Sequence, residues 1–153
     1  NQANMVLVVL DNSTTAMTGH QPHPGTGRTV MGEIVQKINI EQVLRGIGVT
    51  EIETINPLEL EASVSCVKRM AEKSGVRAII FKAPCIAVTK PKAPLHVDQD
   101  SCIGCKKCIR DLGCPAIVMN DGKICIDASM CTGCHLCSQV CPVCAIAGGD
   151  DHE

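Results

Sequence analysis

Ten of the 12 cysteines lie between Cys102 and Cys144, and eight of those ten fall into two runs of one design. The first run reads C-x2-C-x2-C-x5-C-P through Cys102, Cys105, Cys108 and Cys114. The second reads C-x2-C-x2-C-x3-C-P through Cys131, Cys134, Cys137 and Cys141. Three thiolates so spaced cap one face of an iron–sulfur cubane, and a short loop does not easily bring up a fourth. In runs of this kind the fourth Cys ligates the other cluster. The expected ligand sets are therefore Cys102, Cys105 and Cys108 with Cys141, and Cys131, Cys134 and Cys137 with Cys114, around two 4Fe–4S clusters. The chemistry such centres perform is electron transfer.

Zinc and disulfides fit this pattern less well. Structural zinc takes two Cys pairs in one tetrahedral site, which leaves thiols over when two triplets are present. Neighbouring thiols at C-x2-C-x2-C spacing converge on one point instead of bridging distant segments. Gly104 and Gly133 precede the second cysteine of each triplet and let backbone N–H groups approach the sulfurs. Pro115 and Pro142 donate no hydrogen bond and help turn the chain away. The remaining Cys66, Cys85, Cys125 and Cys144 read as small buried hydrophobes.

A second candidate lies near the start. Met5 to Leu10 is a continuous apolar run ending in Asp11-Asn12, and Ser13 to Gly32 is rich in Thr, Gly, Pro and His without apolar periodicity. This reads as a buried parallel strand followed by a long loop, the place where open α/β sheets bind ligands. The Asn12 side chain and the Thr14 carbonyl are oxygen donors of the kind Mg²⁺ takes, although Asn is also common in turns.

These residues need elements to hold them. Asn39 with Gln42 marks a capped helix whose Val43 and Leu44 face the core and which Gly46 or Gly48 ends. Residues 50–55 read as a strand. Asn56-Pro57 with Glu59 opens a helix to about Lys73, with Leu60, Val64, Val67 and Ala71 on its buried face and Gly75 as the stop. Val76 to Phe81 is the next buried strand. The order β–long loop–α–β–α–β over residues 1–88 describes an α/β layer with parallel strands.

Lys90-Pro-Lys-Ala-Pro94 is stiff and polar, and the linker is set at 89–95. From 96 to 149 the chain repeats itself with an offset of 29: Val97-Asp98 and the first triplet recur as Ile126-Asp127 and the second. This is a duplicated β–cluster loop–α unit, a small α+β two-cluster domain of bacterial-ferredoxin type, with a tail at 150–153.

A net charge of −2 gives no footprint for nucleic acid or anionic membrane. A six-residue apolar run is too short for a membrane span or a signal sequence, and a cytoplasmic protein is expected. The chain starts at Asn1 and enters an apolar strand almost at once, so a C-terminal piece of something longer is expected.

Three segments carry a further signal: "LDNSTTAMTGHQPHPGTG", "CIGCKKCIRDLGCPAI" and "CTGCHLCSQVCPVCAI". In that order they resemble the C-terminal portion of the indolepyruvate:ferredoxin oxidoreductase alpha subunit, of the 2-oxoacid:ferredoxin oxidoreductase superfamily. The resemblance covers about residues 5–149. It implies that 1–88 is the last part of a thiamine diphosphate-binding domain, with Asn12 and the Thr14 carbonyl as Mg²⁺ ligands and His20 and His23 near the cofactor. The first Mg²⁺ ligand and the pyrimidine-binding domain would belong to the missing N-terminal part of the alpha subunit, so this chain alone would not be catalytically competent. Thiamine diphosphate and Mg²⁺ are then cofactors of the full-length enzyme, with a beta subunit and ferredoxin as partners. The implied activity is oxidative decarboxylation of an arylpyruvate, with the acyl group passing to coenzyme A and the electrons to ferredoxin. Two readings remain beside it: a stand-alone two-cluster electron carrier without catalytic activity, and an oxidoreductase for another 2-oxoacid.

Overall fold

Two compact units, residues 1–89 and 90–153, divide the chain. The computed structural model describes residues 2–15, 17 and 19–148; the expected tail at 150–153 lies outside them.

The first unit holds β1 (Met5–Asp11), α1 (Ile40–Gly46), β2 (Glu51–Ile55), α2 (Leu60–Glu72) and β3 (Val76–Lys82). The strands form one parallel sheet in the order β1-β3-β2, with Val8 opposite Ile79 and Thr54 opposite Ile80. Successive side chains of β3 point to opposite faces, so each face receives its own helix. Leu44 of α1 packs with Val49, Ala78 and Ile80 on one face. Cys66 and Met70 of α2 pack with Ile79 on the other.

The sheet order corrects one expectation. A continuous apolar run suggests a strand buried on both faces, yet among the described residues β1 pairs only with β3 and leaves Val8 49% and Leu10 77% exposed. The central strand, flanked on both edges, is β3, and it is the buried one.

α1 begins where its cap predicts: Gln42 N–H donates to Asn39 Oδ1 at 3.1 Å. Leu44 turns inward, but Val43 stays half exposed. The start of α2 differs from the expectation. Asn56 Oδ1 accepts from Leu58 N–H at 3.0 Å and the Asn56 carbonyl accepts from Glu59 N–H, so Asn56 caps a turn and the helix starts at Leu60. Its buried stripe is Ser63, Cys66 and Met70, while Val64 and Val67 are each 44% exposed. The helix carries apolar residues on two adjacent stripes, and the sheet takes the one that helical periodicity alone ranks second.

The second unit holds β4 (Leu95–Val97), α3 (Lys107–Leu112), β5 (Ile117–Asn120), β6 (Lys123–Ile126), α4 (Leu136–Val140) and β7 (Ile146–Gly148). β4 pairs antiparallel with β7, and β5 with β6. The sequence repeat is a structural one. Asp98 N–H donates to the Ala145 carbonyl at 2.8 Å, and Asp127 N–H to the Ala116 carbonyl at 2.8 Å. Each strand of one half is thereby fastened to the segment after the fourth cysteine of the other. Two extra residues before Cys114 are balanced by two after Pro142, so Ile117 and Ile146 again stand 29 apart.

No helix among the described residues is long and apolar enough to cross a membrane.

Candidate iron–sulfur centres and cofactor hollow

Both cysteine loops are shaped by the same backbone device. Gly104 and Gly133 sit at φ +65° and +67°, and the residues after the second cysteines, Lys106 and His135, at +59° and +61°. This left-handed pair folds each triplet back on itself before α3 and α4 begin, a backbone conformation that glycine adopts without cost at the first position. The loop is opened by an Asp in each half: Cys102 N–H donates to the Asp98 carbonyl and Cys131 N–H to the Asp127 carbonyl, both at 3.0 Å.

The loops bring the thiols together across the two halves. Cys102, Cys105, Cys108 and Cys141 line one cavity, walled by Val97, Ile124, Pro142 and Ile146. Its apolar wall makes one thiol a weaker acid: burial pushes the Cys108 thiol up, and charge on Cys105 or Cys141 would push it further. In the other set Cys137 is pushed up to about 11, first by burial and then by Cys134, Cys131 and Cys114 nearby. Cys114 thus stands beside the second triplet and Cys141 beside the first. Backbone N–H groups reach two of the sulfurs, Ala145 N–H to Cys141 Sγ at 3.3 Å and Leu95 N–H to Cys131 Sγ at 3.5 Å. Thiols this reluctant to ionise give up their protons when a cation binds them, and the N–H donors then offset the charge left on sulfur.

Of the four remaining cysteines, Cys66 is fully buried and Cys85 and Cys125 are half-buried. Cys144 departs from the expectation: it is exposed at φ +52°, because the two extra residues after Pro142 bulge outward to reach β7.

In the first unit a hollow of about 290 Å³ opens at the C-terminal ends of β1 and β3, lined by Asp11, Asn12, Pro57, Ser63, Phe81 and Ala83. Asn12 is half-buried, its Oδ1 accepts from Thr14 N–H at 3.2 Å, and its carbonyl accepts from Cys85 N–H at 3.1 Å. Asn12 and Thr14 therefore share one turn at the hollow's rim. His23 closes a turn of its own, Nδ1 accepting from Gly25 N–H at 3.1 Å, and His20 is exposed at φ +62°. Pro57 and Ser63 were missed as lining residues. Their signal was weak: Ser63 is a polar residue on the sheet-facing stripe of α2, with its hydroxyl donating to the Asn56 carbonyl at 3.2 Å.

Residues 1–81 match the thiamine pyrophosphate enzyme, C-terminal TPP binding domain, and residues 94–142 match the 4Fe-4S dicluster domain. The chain belongs to the thiamine pyrophosphate enzyme family. The second match spans both triplets and all eight cysteines of the two runs, so 4Fe–4S clusters are the cofactors of the second unit. The chain is similar to three archaeal proteins, each named indolepyruvate oxidoreductase subunit IorA. It is 45% identical over 148 residues to that of Methanothermobacter thermautotrophicus, 42% over 148 to that of Methanothermobacter marburgensis, and 39% over 152 to that of Archaeoglobus fulgidus. In each case 95% of this chain and 24% of the relative are covered, so the chain spans about a quarter of their length. No solved structure matches the chain. The resemblance carried by the three sequence segments is thereby borne out.

Proposed function

We propose that this chain is the electron-transfer portion of a thiamine diphosphate-dependent 2-oxoacid:ferredoxin oxidoreductase that oxidatively decarboxylates arylpyruvates. The observation that carries the reading is the cavity in which Cys141, from the second half, joins Cys102, Cys105 and Cys108 from the first. Four thiols around an apolar cavity fit a 4Fe–4S cluster, and the second set, Cys131, Cys134, Cys137 and Cys114, fits another. Among the described residues no three or more His, Cys, Asp or Glu side chains converge closely enough to hold a single metal ion. Two triplets, each completed by a cysteine of the other half, also leave thiols over for tetrahedral zinc, which takes four ligands. When loaded, the clusters carry electrons away from the substrate's oxidation; the protein buries them, orients them and supplies N–H donors.

Asn12 Oδ1 and the Thr14 carbonyl are the groups we assign to Mg²⁺ beneath the diphosphate. They stand at the carboxyl end of a parallel strand, where such sheets take ligands. The Asn12 carboxamide would exchange its bond to Thr14 N–H for the metal. The name of the relatives supports indolepyruvate as substrate. The remaining catalytic groups fall to the rest of the alpha subunit, the beta subunit completes the assembly and ferredoxin takes the electrons. No nucleic acid or membrane enters the scheme. We place the protein in the cytoplasm, where thiols stay reduced.

Anaerobic iron and sulfide analysis should give about eight irons per chain, with two interacting centres in EPR after dithionite reduction. One zinc per chain without an EPR signal overturns the reading. For the first unit, thiamine diphosphate should bind with Mg²⁺ to a chain extended to the relatives' length, and Asn12→Ala should weaken that binding. Unchanged binding would remove Asn12 from the site.

A further inference from the structure

The two cluster loops are built alike and dressed differently, and the chain thereby supplies its own control. Lys106, Lys107 and Arg110 of the first loop and α3 correspond, at the offset of 29, to His135, Leu136 and Gln139 of the second. All three cations are exposed, and among the described residues none forms a salt bridge. One acid, Asp111, shares their helix.

Cover differs in the same direction. The second loop lies under the segment 92–95: Lys92 N–H donates to the Thr132 carbonyl at 3.2 Å, and Leu95 N–H to Cys131 Sγ. Gly133 is buried there, and a Cβ on it would fall 2.7 Å from the Ala93 carbonyl oxygen. At the offset of 29 the corresponding place belongs to residues 121–124, the β5–β6 turn and the start of β6, which wall the cavity through Ile124 but put nothing over Gly104. A Cβ on Gly104 would meet nothing within 4 Å, Ile103 is 65% exposed, and Cys105 is exposed.

We infer that the loop of Cys102, Cys105 and Cys108 is the docking face for the electron acceptor, and that Lys106, Lys107 and Arg110 form a cationic collar that receives a small acidic electron-carrier protein. The inference deepens the function proposed above and rests on it. A bare apolar residue, Ile103, on the same loop as unpaired cations is suited to transient docking. Charge steers the encounter and a small dry contact completes it. An acceptor docked here gains one electron, the centre held by Cys102, Cys105, Cys108 and Cys141 loses one, and no proton moves. The second centre is then the inner one, and Lys92 to Leu95 is its lid.

The test uses the iron-loaded full chain and a purified acidic two-cluster ferredoxin, with affinity measured by titration calorimetry across a salt series. Lys107→Glu with Arg110→Glu should weaken binding about tenfold or more at low salt and flatten the salt dependence. The milder Lys107→Gln/Arg110→Gln pair should lie between. Lys123→Glu, which changes net charge at the start of β6, should stay within about twofold of the parent. Iron content and the reduced EPR spectrum should be the same in all of them. Equal affinity of the parent and the double charge reversal, with clusters intact, overturns the docking face. So does a larger loss from Gln139→Glu, which would move the acceptor to the other loop. A parent chain without iron defeats the cluster reading itself, which the iron analysis reports separately.

Discussion

Arg77 donates its Nε–H to the Met70 carbonyl at 3.0 Å, so a residue only 3% exposed, from the central strand, closes the last turn of α2. Its Nη1 also reaches the Gly75 carbonyl and Asn4 Oδ1. Among the described residues no carboxylate pairs with it; its partners are neutral oxygens, one of them a carbonyl at the negative end of a helix. Arg77→Ala strands the Met70 carbonyl, while the Gly75 carbonyl keeps Met5 N–H, and should cost about 1–3 kcal/mol in urea unfolding. Arg77→Lys keeps the charge but cannot span three acceptors, and should recover less than half of that. An unchanged unfolding slope would show that the loss lies in the folded state.

The pair Glu53–Arg69 sets a pH dependence at the acid end. The hydrogen bond from Arg69 holds the Glu53 carboxyl below its ordinary range, against the opposing pull of burial. A lowered carboxyl stabilises the fold above its ordinary range, and that contribution is lost as pH falls through the lowered value. Glu53→Gln should therefore reduce stability at neutral pH and flatten the decline below about pH 4.5, as read from melting temperatures across pH.

At the alkaline end the sign reverses at Cys66. Burial, reinforced by its hydrogen bond to Glu53, raises this thiol. Its stabilisation is complete below the ordinary thiol range and is lost as pH rises through and beyond about 8.5. Cys66→Ala should leave a cavity and lower stability throughout, but with a shallower alkaline fall than the parent.

Gly104→Ala and Gly133→Ala make a matched pair. Both positions are left-handed, so each substitution costs about 1–2 kcal/mol in backbone strain. Only at Gly133 does the new methyl also collide, with the Ala93 carbonyl and Lys92. Gly133→Ala should thus melt lower and bleach its visible absorbance faster in air than Gly104→Ala. Equal effects would mean that the 92–95 segment yields freely.

Crossed ligation has a genetic signature. Cys141→Ser should reduce iron from about eight to about four per chain. Adding Cys105→Ser should remove no more, because both serve one cavity, whereas adding Cys134→Ser should remove the rest. The opposite pattern would assign each centre to its own run.

The sequence spoke most clearly where local chemistry leaves few choices. The Cys-x2-Cys-x2-Cys spacing, the Asn39 cap and the 29-residue repeat each work within a few residues of backbone, and each reappears in three dimensions. It was least clear where two solutions are locally equivalent. On α2, Leu60-Val64-Val67-Ala71 and Ser63-Cys66-Met70 are both helical stripes, and only the sheet's position chooses between them. For β1, an apolar run reads as doubly buried, yet neighbours decide burial and β3 took the centre. The asymmetry between the two cysteine loops was likewise hidden, because the cover over Gly133 comes from a stretch that reads as linker.

Because Cys141 arrives 33 positions after Cys108 to complete the first cavity, the cavity cannot be finished until the second half has been made. The second waits almost as long, since Cys137 follows Cys114 by 23 positions. Both vessels close only when the second half folds back on the first. Iron delivered early finds no complete seat, and a chain cut between the halves keeps neither seat whole. The interlocking of the halves therefore acts as a checkpoint on biogenesis: the domain is assembled entire or remains a string of thiols.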